Sequence, residues 1–195
     1  MIIKDKQQLK QICEPVSAFN FEEGENIAKQ LLDELKNSNI GIGLAANQIG
    51  INKRVCVINV KKEPLILINP KILEKSEEKF VFPEGCLSFP DDHIRTERHV
   101  SIVVEADNHK DKLYFSADSE DINDAFECVC VQHEIDHLDG ITMFDREFKI
   151  RPIKREGRKI GRNEKVTISD GKESKIIKYK KAQPLLENGW NLVES

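Results

Sequence analysis

No apolar run in this 195-residue chain approaches the roughly 18 residues that cross a bilayer. The N-terminus, MIIKDKQQLKQ, has neither the apolar centre of a secretory signal nor the Arg/Ser-rich character of a transit segment. A soluble, cytoplasmic protein with no membrane partner is therefore expected. The cysteines are few and odd in number: Cys13, Cys56, Cys86, Cys128 and Cys130 offer no paired framework, which excludes a disulfide scaffold and suits a reducing compartment. Repeats and low-complexity segments are absent. The glycine-containing stretch Gly41-Ile-Gly-Leu-Ala-Ala-Asn-Gln-Ile-Gly50 has no Lys-Ser/Thr ending, so it is not a phosphate loop.

What remains is a charged, globular composition. With 39% hydrophobic and 33% charged residues, the chain can bury one sizeable core, and one main domain is expected. The net charge of −4 hides an asymmetry: residues 1–150 hold 18 Lys+Arg against 28 Asp+Glu, and residues 151–195 hold 12 against 6. Such a basic extension can reach for phosphate backbones, as on a ribosome, although most charge runs are simply solvated. No known nucleic-acid motif accompanies the basic residues there, and a DNA partner is not expected.

Helical spacing of Ile27, Leu31, Leu32 and Leu35 predicts an amphipathic helix over Glu22 to Lys36. The glycine-rich stretch that follows is too small and flexible for an ordinary helix or strand, and its glycines imply backbone lying close to something. Arg54–Val60, Leu65–Ile68, Lys79–Phe82, Val100–Glu105 and Lys112–Ser116 are short, β-branched or aromatic, and predict antiparallel strands. In the tail, Lys165–Ser169 and Ser174–Tyr179 flank Asp170-Gly171 as a β-hairpin, with Pro184 to Val193 packing back through Leu185, Leu186 and Trp190. The expected organisation is an α+β domain over residues 1–150 and a small appendage over 151–195.

The chemistry concentrates in Gln132-His-Glu-Ile-Asp-His-Leu138. His133 and His137 stand one helical turn apart, so both imidazoles leave one face and can converge on a metal, with Glu134 beside them. Ile122, Ala125, Phe126, Val129, Cys130, His133 and His137 form an inward stripe, with Asp121 and Asn123 as candidate caps and Gly140 as the stop. One buried histidine on such a stripe is more often hydrogen-bonded core than ligand. Two on successive turns would each need a buried partner, whereas a single cation satisfies both. Cys128 and Cys130 diverge on this helix and cannot share a metal. Cys130 alone of the pair faces inward. A catalytic metal also needs a third protein ligand. Cys86 stands out, since Gly85 leaves the backbone permissive and a thiolate binds metals well, although a cysteine taken by itself is more often a buried structural thiol. His93, His99 and His109 lie in polar surroundings and are expected at the surface.

Three segments, GIGLAANQ at 41–48, EGCLS at 84–88 and QHEIDHLDG at 132–140, resemble in order and spacing the three motifs of the peptide deformylases. LINP at 67–70, FDR at 144–146 and the stretch from Leu9 to Val16 agree. The resemblance covers roughly residues 1–150 and leaves the tail out. Asn47, Pro83 and Asp91 occupy positions that the motifs leave open. The resemblance implies an α+β fold of antiparallel sheets around a central metal-binding helix. It implies that Cys86, His133 and His137 hold one divalent ion with water as fourth ligand, usually Fe2+, although Zn2+, Ni2+ or Co2+ can serve.

By the same resemblance Glu134 is the general base, and Gln48 with the Leu87 backbone N–H stabilises the charge that grows on the formyl oxygen. The substrate is a nascent peptide beginning with N-formylmethionine, and formate is released. The methionine pocket is lined by Ile42, Gly43, Phe82, Phe126, Val129 and Cys130, and the substrate backbone runs extended along Gly43 and Gly85. Glu84 braces the Cys86 loop through Arg98. Two alternatives stay open: a zinc metallopeptidase of the His-Glu-x-x-His type, and a catalytically lapsed homologue that docks on the ribosome through the basic tail.

Overall fold

The computed structural model describes residues 1–17, 21–38, 40–149 and 160–193, and the chain divides into two compact units, Met1–Glu147 and Phe148–Ser195. The expected boundary at residue 150 lies outside the described residues.

In the first unit, a short helix α1 (Lys6–Leu9) starts at Asp5, whose carboxylate accepts from the amides of Gln7 and Gln8. Helix α2 (Phe21–Ser38) buries Ile27, Ala28, Leu31 and Leu35 and carries Glu22 and Glu23 in its first turn, where the helix dipole favours anions. Strand β1 (Gly43–Ala45) leads into a 3-10 turn over Ala46–Ile49, closed by Gly50 at φ 83°. This corrects the expectation of neither helix nor strand. Leu44, Ala45 and Ala46 are fully buried, and pairing Gly43 to Ile58 satisfies backbone groups that burial would otherwise strand.

Strands β2 (Val55–Ile58) and β3 (Leu65–Ile68) complete an antiparallel sheet in the order β1-β2-β3. Beyond β3, Asn69 adopts φ 52° and grips Val16, accepting from its N–H at 2.8 Å and donating to its carbonyl at 2.8 Å. Strands β4 (Lys71–Lys75), β5 (Lys79–Cys86), β6 (Phe89–His99), β7 (Ser101–Glu105) and β8 (Leu113–Ser116) form a β4-β7-β8 sheet and a β5-β6 hairpin. Strands β4 and β6 were not anticipated, and β5 runs on through Pro83 to Cys86. The sequence of β6, FPDDHIRTERH, exposes charged residues on both faces at its start, so it lacks the apolar alternation that marks a half-buried strand. Pro83 is tolerated because β5 has a single hydrogen-bonded neighbour among the described residues.

Helix α3 (Ile122–Leu138) starts at Asp121, which accepts from Asn123 N–H at 2.9 Å. Gly140, at φ 71°, follows its end. The helix shares one buried core with Cys56, Ile58 and Leu67 of the β1-β2-β3 sheet and Ile102, Val104 and Phe115 of the β4-β7-β8 sheet. The expected single inward stripe is thereby corrected. From Cys128 to Leu138 every residue is buried, Cys128 included, while Ile122 is 62% and Phe126 39% exposed at the start of the stripe. The helix is a central element covered all round, and the histidine face fronts a cavity instead of the core. A second 3-10 turn, Met143–Arg146, ends the unit.

In the second unit, β9 (Lys165–Ser169), β10 (Ser174–Lys178) and β11 (Asn191–Val193) form an antiparallel sheet in the order β10-β9-β11, with helix α4 (Tyr179–Leu186) packed on it. Val166, Ile168 and Ala182 are its buried centre, surrounded by Leu185, Leu186, Trp190 and Leu192. The helix starts where the hairpin was expected to extend to Tyr179, and Pro184 sits inside it.

Candidate metal centre and reaction pocket

Cys86 ends β5 at a register shift between Gly85 and Cys86, a bulge that re-aims the side chain. There it meets the two histidines of α3. The three ligand atoms all lie within 4.8 Å of one another, Cys86 Sγ stands 3.3 Å from His137 Nε2, and the imidazole centroids are 4.8 Å apart. His133 and His137 are buried and Cys86 is half-buried.

The outer side of His133 is fixed. Its Nδ1–H donates to Glu84 Oε2 at 2.6 Å, which leaves Nε2 free as a ligand. Arg98, 2% exposed, donates to both oxygens of Glu84 at 2.5 and 2.9 Å and to Asp136 Oδ2 at 2.5 Å. Thr96 also donates to Glu84. Asp136 in turn accepts from Arg146 at 3.0 and 2.7 Å. One guanidinium thus ties the β5 strand carrying Cys86 to the helix carrying the histidines. Asp136 and Arg146 escaped the sequence reading as parts of this network, although both lie inside quoted motifs. Their partners are 38 and 10 residues away, and nothing local signals them.

Burial alone would raise the Glu84 carboxyl, but Arg98 and His133 hold it well below the usual carboxylate range. Burial pushes both ligand imidazoles downward. At His133 this is outweighed by Cys86 and Glu84, which hold it well above the ordinary value, whereas His137, facing His133 and Arg98, stays well below it. Burial pushes Glu134 up to about 7. Its Oε2 is buried without a hydrogen-bond partner among the described residues. A buried carboxylate oxygen with no donor, beside a thiol and two imidazoles that converge, is what a divalent cation and its water would satisfy. The donor set fits that ion.

A pocket of about 530 Å³ opens beside the ligands. Ile42, Gly43, Phe82, Gly85, Phe126, Val129 and Cys130 line it, together with Gln48, Cys86, Leu87, His133 and Glu134. Phe82 and Phe126 meet edge to face at 5.2 Å. Ile40, Gly41, Pro83, Pro90 and His93 also line it and were not anticipated. His93 is exposed there, but His99 and His109, expected at the surface, are half-buried. Their ring nitrogens lie 2.6 Å from the Ser76 carbonyl and 2.9 Å from the Ile66 carbonyl, bonds that short-range sequence context cannot reveal.

Gln48 is fixed at both ends. Its Oε1 accepts from Ala45 N–H at 2.9 Å, and its Nε2 donates to Ser88 Oγ at 3.2 Å and approaches Cys86 Sγ at 3.5 Å. The two glycines of the pocket differ. A β-carbon on Gly43 would collide with Cys130 Sγ and stand 2.5 Å from Glu134 Oε1, whereas one on Gly85 would make an ordinary 3.4 Å contact with His93.

The sequence pattern of the Polypeptide deformylase family matches residues 1–156. A peptide deformylase of Rhizobium meliloti is 37% identical over 156 residues, covering 77% of this chain and 86% of that protein. One of Heliobacterium modesticaldum is 41% identical over 138 residues, covering 71% and 86%. A crystal structure of a peptide deformylase from Synechococcus elongatus in complex with actinonin is 33% identical, with a TM-score of 0.65 over 76% of this chain and 78% of that one. Three motifs, one fold and a Cys-His-His centre agree: the chain belongs to the peptide deformylases, metal-dependent hydrolases that remove the N-formyl group from peptides.

Proposed function

We propose that Cys86, His133 and His137 hold one divalent ion and that Glu134, Gln48 and Leu87 carry out deformylation of N-formylmethionyl nascent peptides around it. The observation that carries this reading is the convergence of a thiol and two imidazoles, within 4.8 Å of one another, beside a buried carboxylate whose Oε2 has no hydrogen-bond partner among the described residues. When bound, the ion supplies the Lewis acidity that makes water nucleophilic near neutral pH. Glu134 takes a proton from that water as its oxygen bonds to the formyl carbon. The carbon–nitrogen bond then breaks, Glu134 returns the proton to the departing amine, and the products are formate and a free N-terminus. Gln48 Nε2, held by its other contacts, and the Leu87 N–H donate to the formyl oxygen as negative charge grows on it.

The methionine side chain occupies the apolar part of the pocket, between Phe82, Phe126, Val129 and Cys130. Strand β1 is the edge of its sheet, and β5 has one neighbour among the described residues. An extended peptide pairs there along Gly43 and Gly85. A thiolate with two imidazoles suits Fe2+, and also Zn2+, Ni2+ or Co2+. The five free cysteines support a reducing, cytoplasmic setting. Residues 1–150 form the catalytic domain, and the basic appendage contacts the ribosome through cations such as Lys165 and Lys178, which lie opposite each other on β9 and β10.

Anaerobic purification followed by metal analysis and assay on formyl-Met-Ala-Ser tests the reading. Stoichiometric metal and release of formate are expected, with no cleavage of the unformylated peptide. Peptide-bond cleavage instead would favour the metallopeptidase. Salt-sensitive pelleting with ribosomes, weakened in a Lys165→Glu/Lys178→Glu variant, tests the appendage.

A further inference from the structure

Asn47 sits between two groups that deformylation needs. It belongs to the 3-10 turn that presents Gln48, its neighbour, and it is 6% exposed. Its Nδ2 donates at 2.7 Å to the main-chain carbonyl of His137, 90 residues away. The last carbonyls of a helix lack helical partners; at the end of α3 local turn amides serve several of them, Gly140 N–H reaching the His137 carbonyl at 3.1 Å, and three distant segments add further donors. Cys13 N–H and Arg54 Nη1 donate to the Leu138 carbonyl at 2.9 and 3.2 Å, and Asn47 donates to that of His137. Of the three, only Asn47 is adjacent in sequence to a group in the reaction pocket.

The same junction holds a buried donor and a buried acceptor without hydrogen-bond partners among the described residues, His137 Nδ1 and Asn47 Oδ1. His137 Nε2 faces Cys86, so Nδ1 is the nitrogen turned away from the ligand cluster. In a ligating imidazole that nitrogen carries the proton and is ordinarily bonded to a carbonyl, a carboxylate or a water, which sets the ring's orientation. Glu84 does this for His133. Among the described residues no group in hydrogen-bonding contact does it for His137, and a buried water is the ordinary partner of such orphaned atoms.

Resting on the proposed ligand and oxyanion assignments, we infer that Asn47 is a positioning residue. It fixes the turn carrying Gln48 to the last turn of the metal helix, and through one buried water it orients the His137 imidazole. The motif leaves this position open, and a side chain without an amide could not supply both bonds.

The test uses the full-length, metal-loaded protein with Asn47→Leu, which keeps the branched shape and removes both polar atoms, and Asn47→Ala, in which water can partly replace the amide. Loss of such an outer partner typically costs about 10- to 100-fold in metal affinity or activity. Chelator-driven metal release is therefore expected to accelerate by about 10- to 100-fold in Asn47→Leu and less in Asn47→Ala. The kcat for formyl-Met-Ala-Ser should fall while KM stays within about twofold, because Asn47 is not in the pocket lining. A lowered melting temperature with unchanged metal release and kcat, in whichever variant folds, would reduce Asn47 to packing and overturn the inference. A crystal structure of the metal-loaded protein should show one water bonded to Asn47 Oδ1 and His137 Nδ1, and an Nδ1 bonded elsewhere would overturn the water. The metal-release measurement stands even if the wild-type protein fails to deformylate, a failure that would sink the proposed function alone.

Discussion

Truncating Arg98 to alanine would leave Glu84 and Asp136 as buried carboxylates deprived of their shared cation. Asp136 would keep Arg146, with bonds at 3.0 and 2.7 Å, but Glu84 would keep, among the described residues, only His133 and Thr96. Removing one partner of a buried ion pair costs about 3–5 kcal/mol. In a chain of this size that lowers the melting temperature by roughly 6–20 °C. A second loss is separate from stability: without the two-pronged grip on Glu84, the acceptor that orients His133 is free to turn, at a cost of about 10- to 100-fold in metal affinity. Denaturant titration of the metal-free protein reads the first effect, and competition with a chelator reads the second. A Glu84→Leu/Arg98→Met double variant separates them. It removes both charges of the pair, so stability should recover toward wild type, while metal affinity should stay low because His133 still lacks its acceptor. An Arg98→Ala protein that unfolds within about 1 kcal/mol of wild type and holds its metal equally well would refute the brace, since buried pairs of this kind cost more than that to break.

Gln48→Ala should lower kcat by about 10²- to 10³-fold, the usual effect of one lost oxyanion donor, with metal content unchanged; normal turnover would remove Gln48 from the chemistry. Gly43→Ala should cost more than tenfold in kcat/KM, because the new β-carbon meets Cys130 Sγ and Glu134 Oε1 deep in the wall, on the order of an overpacked core. Gly85→Ala should be tolerated, and equal activities of the two variants would contradict the geometry. In the metal-free protein, Glu134 has its carboxyl raised from 4.5 to about 7 by burial, so its contribution to stability is present below pH 4.5 and lost as pH rises through about 7. The loss is roughly 3 kcal/mol. Denaturant titration should show Glu134→Gln lacking this decline relative to wild type, and parallel pH profiles would exclude it.

Much of this arrangement was legible because its chemistry is local in sequence. The spacing of His133 and His137 gives a shared face from helix geometry alone, and Asp121 and Gly140 mark the ends of the helix that carries them. Asn69, inside LINP, shows why a minor motif accompanies the major ones: at φ 52° it pairs both main-chain polar groups of Val16. The strands that were missed fail a different test. Strand β6 stands in a two-stranded hairpin whose residues are mostly exposed, so apolar periodicity, which reports burial, has little to report. The amphipathic stripe on α3 misled for the converse reason. A helix covered on every side hides Cys128 as completely as its inward neighbours, and the exposure of Phe126 reflects a cavity that composition cannot distinguish from core.

The charges of the centre fall into two layers that balance separately. Glu84 and Asp136 are matched by Arg98 and Arg146. Inside that layer, on the proposed ligand assignment, a Cys86 thiolate and the Glu134 carboxylate would together match a divalent ion. An interior of this kind tolerates charge only when it is paired close by, so the outer layer can be permanent while the inner layer depends on the metal. The ionisation of Glu134 reports the difference. Its nearest compensating charges in the metal-free protein belong to groups already engaged with Glu84, and burial therefore dominates and holds its proton on to about pH 7. A cation between Cys86, His133 and His137 would favour the carboxylate and lower that value, preparing Glu134 to accept a proton from water. The sequence motifs contain all of these residues, but the division into a fixed brace and a metal-dependent centre is a property of the hydrogen bonds that cross between β5, β6 and α3.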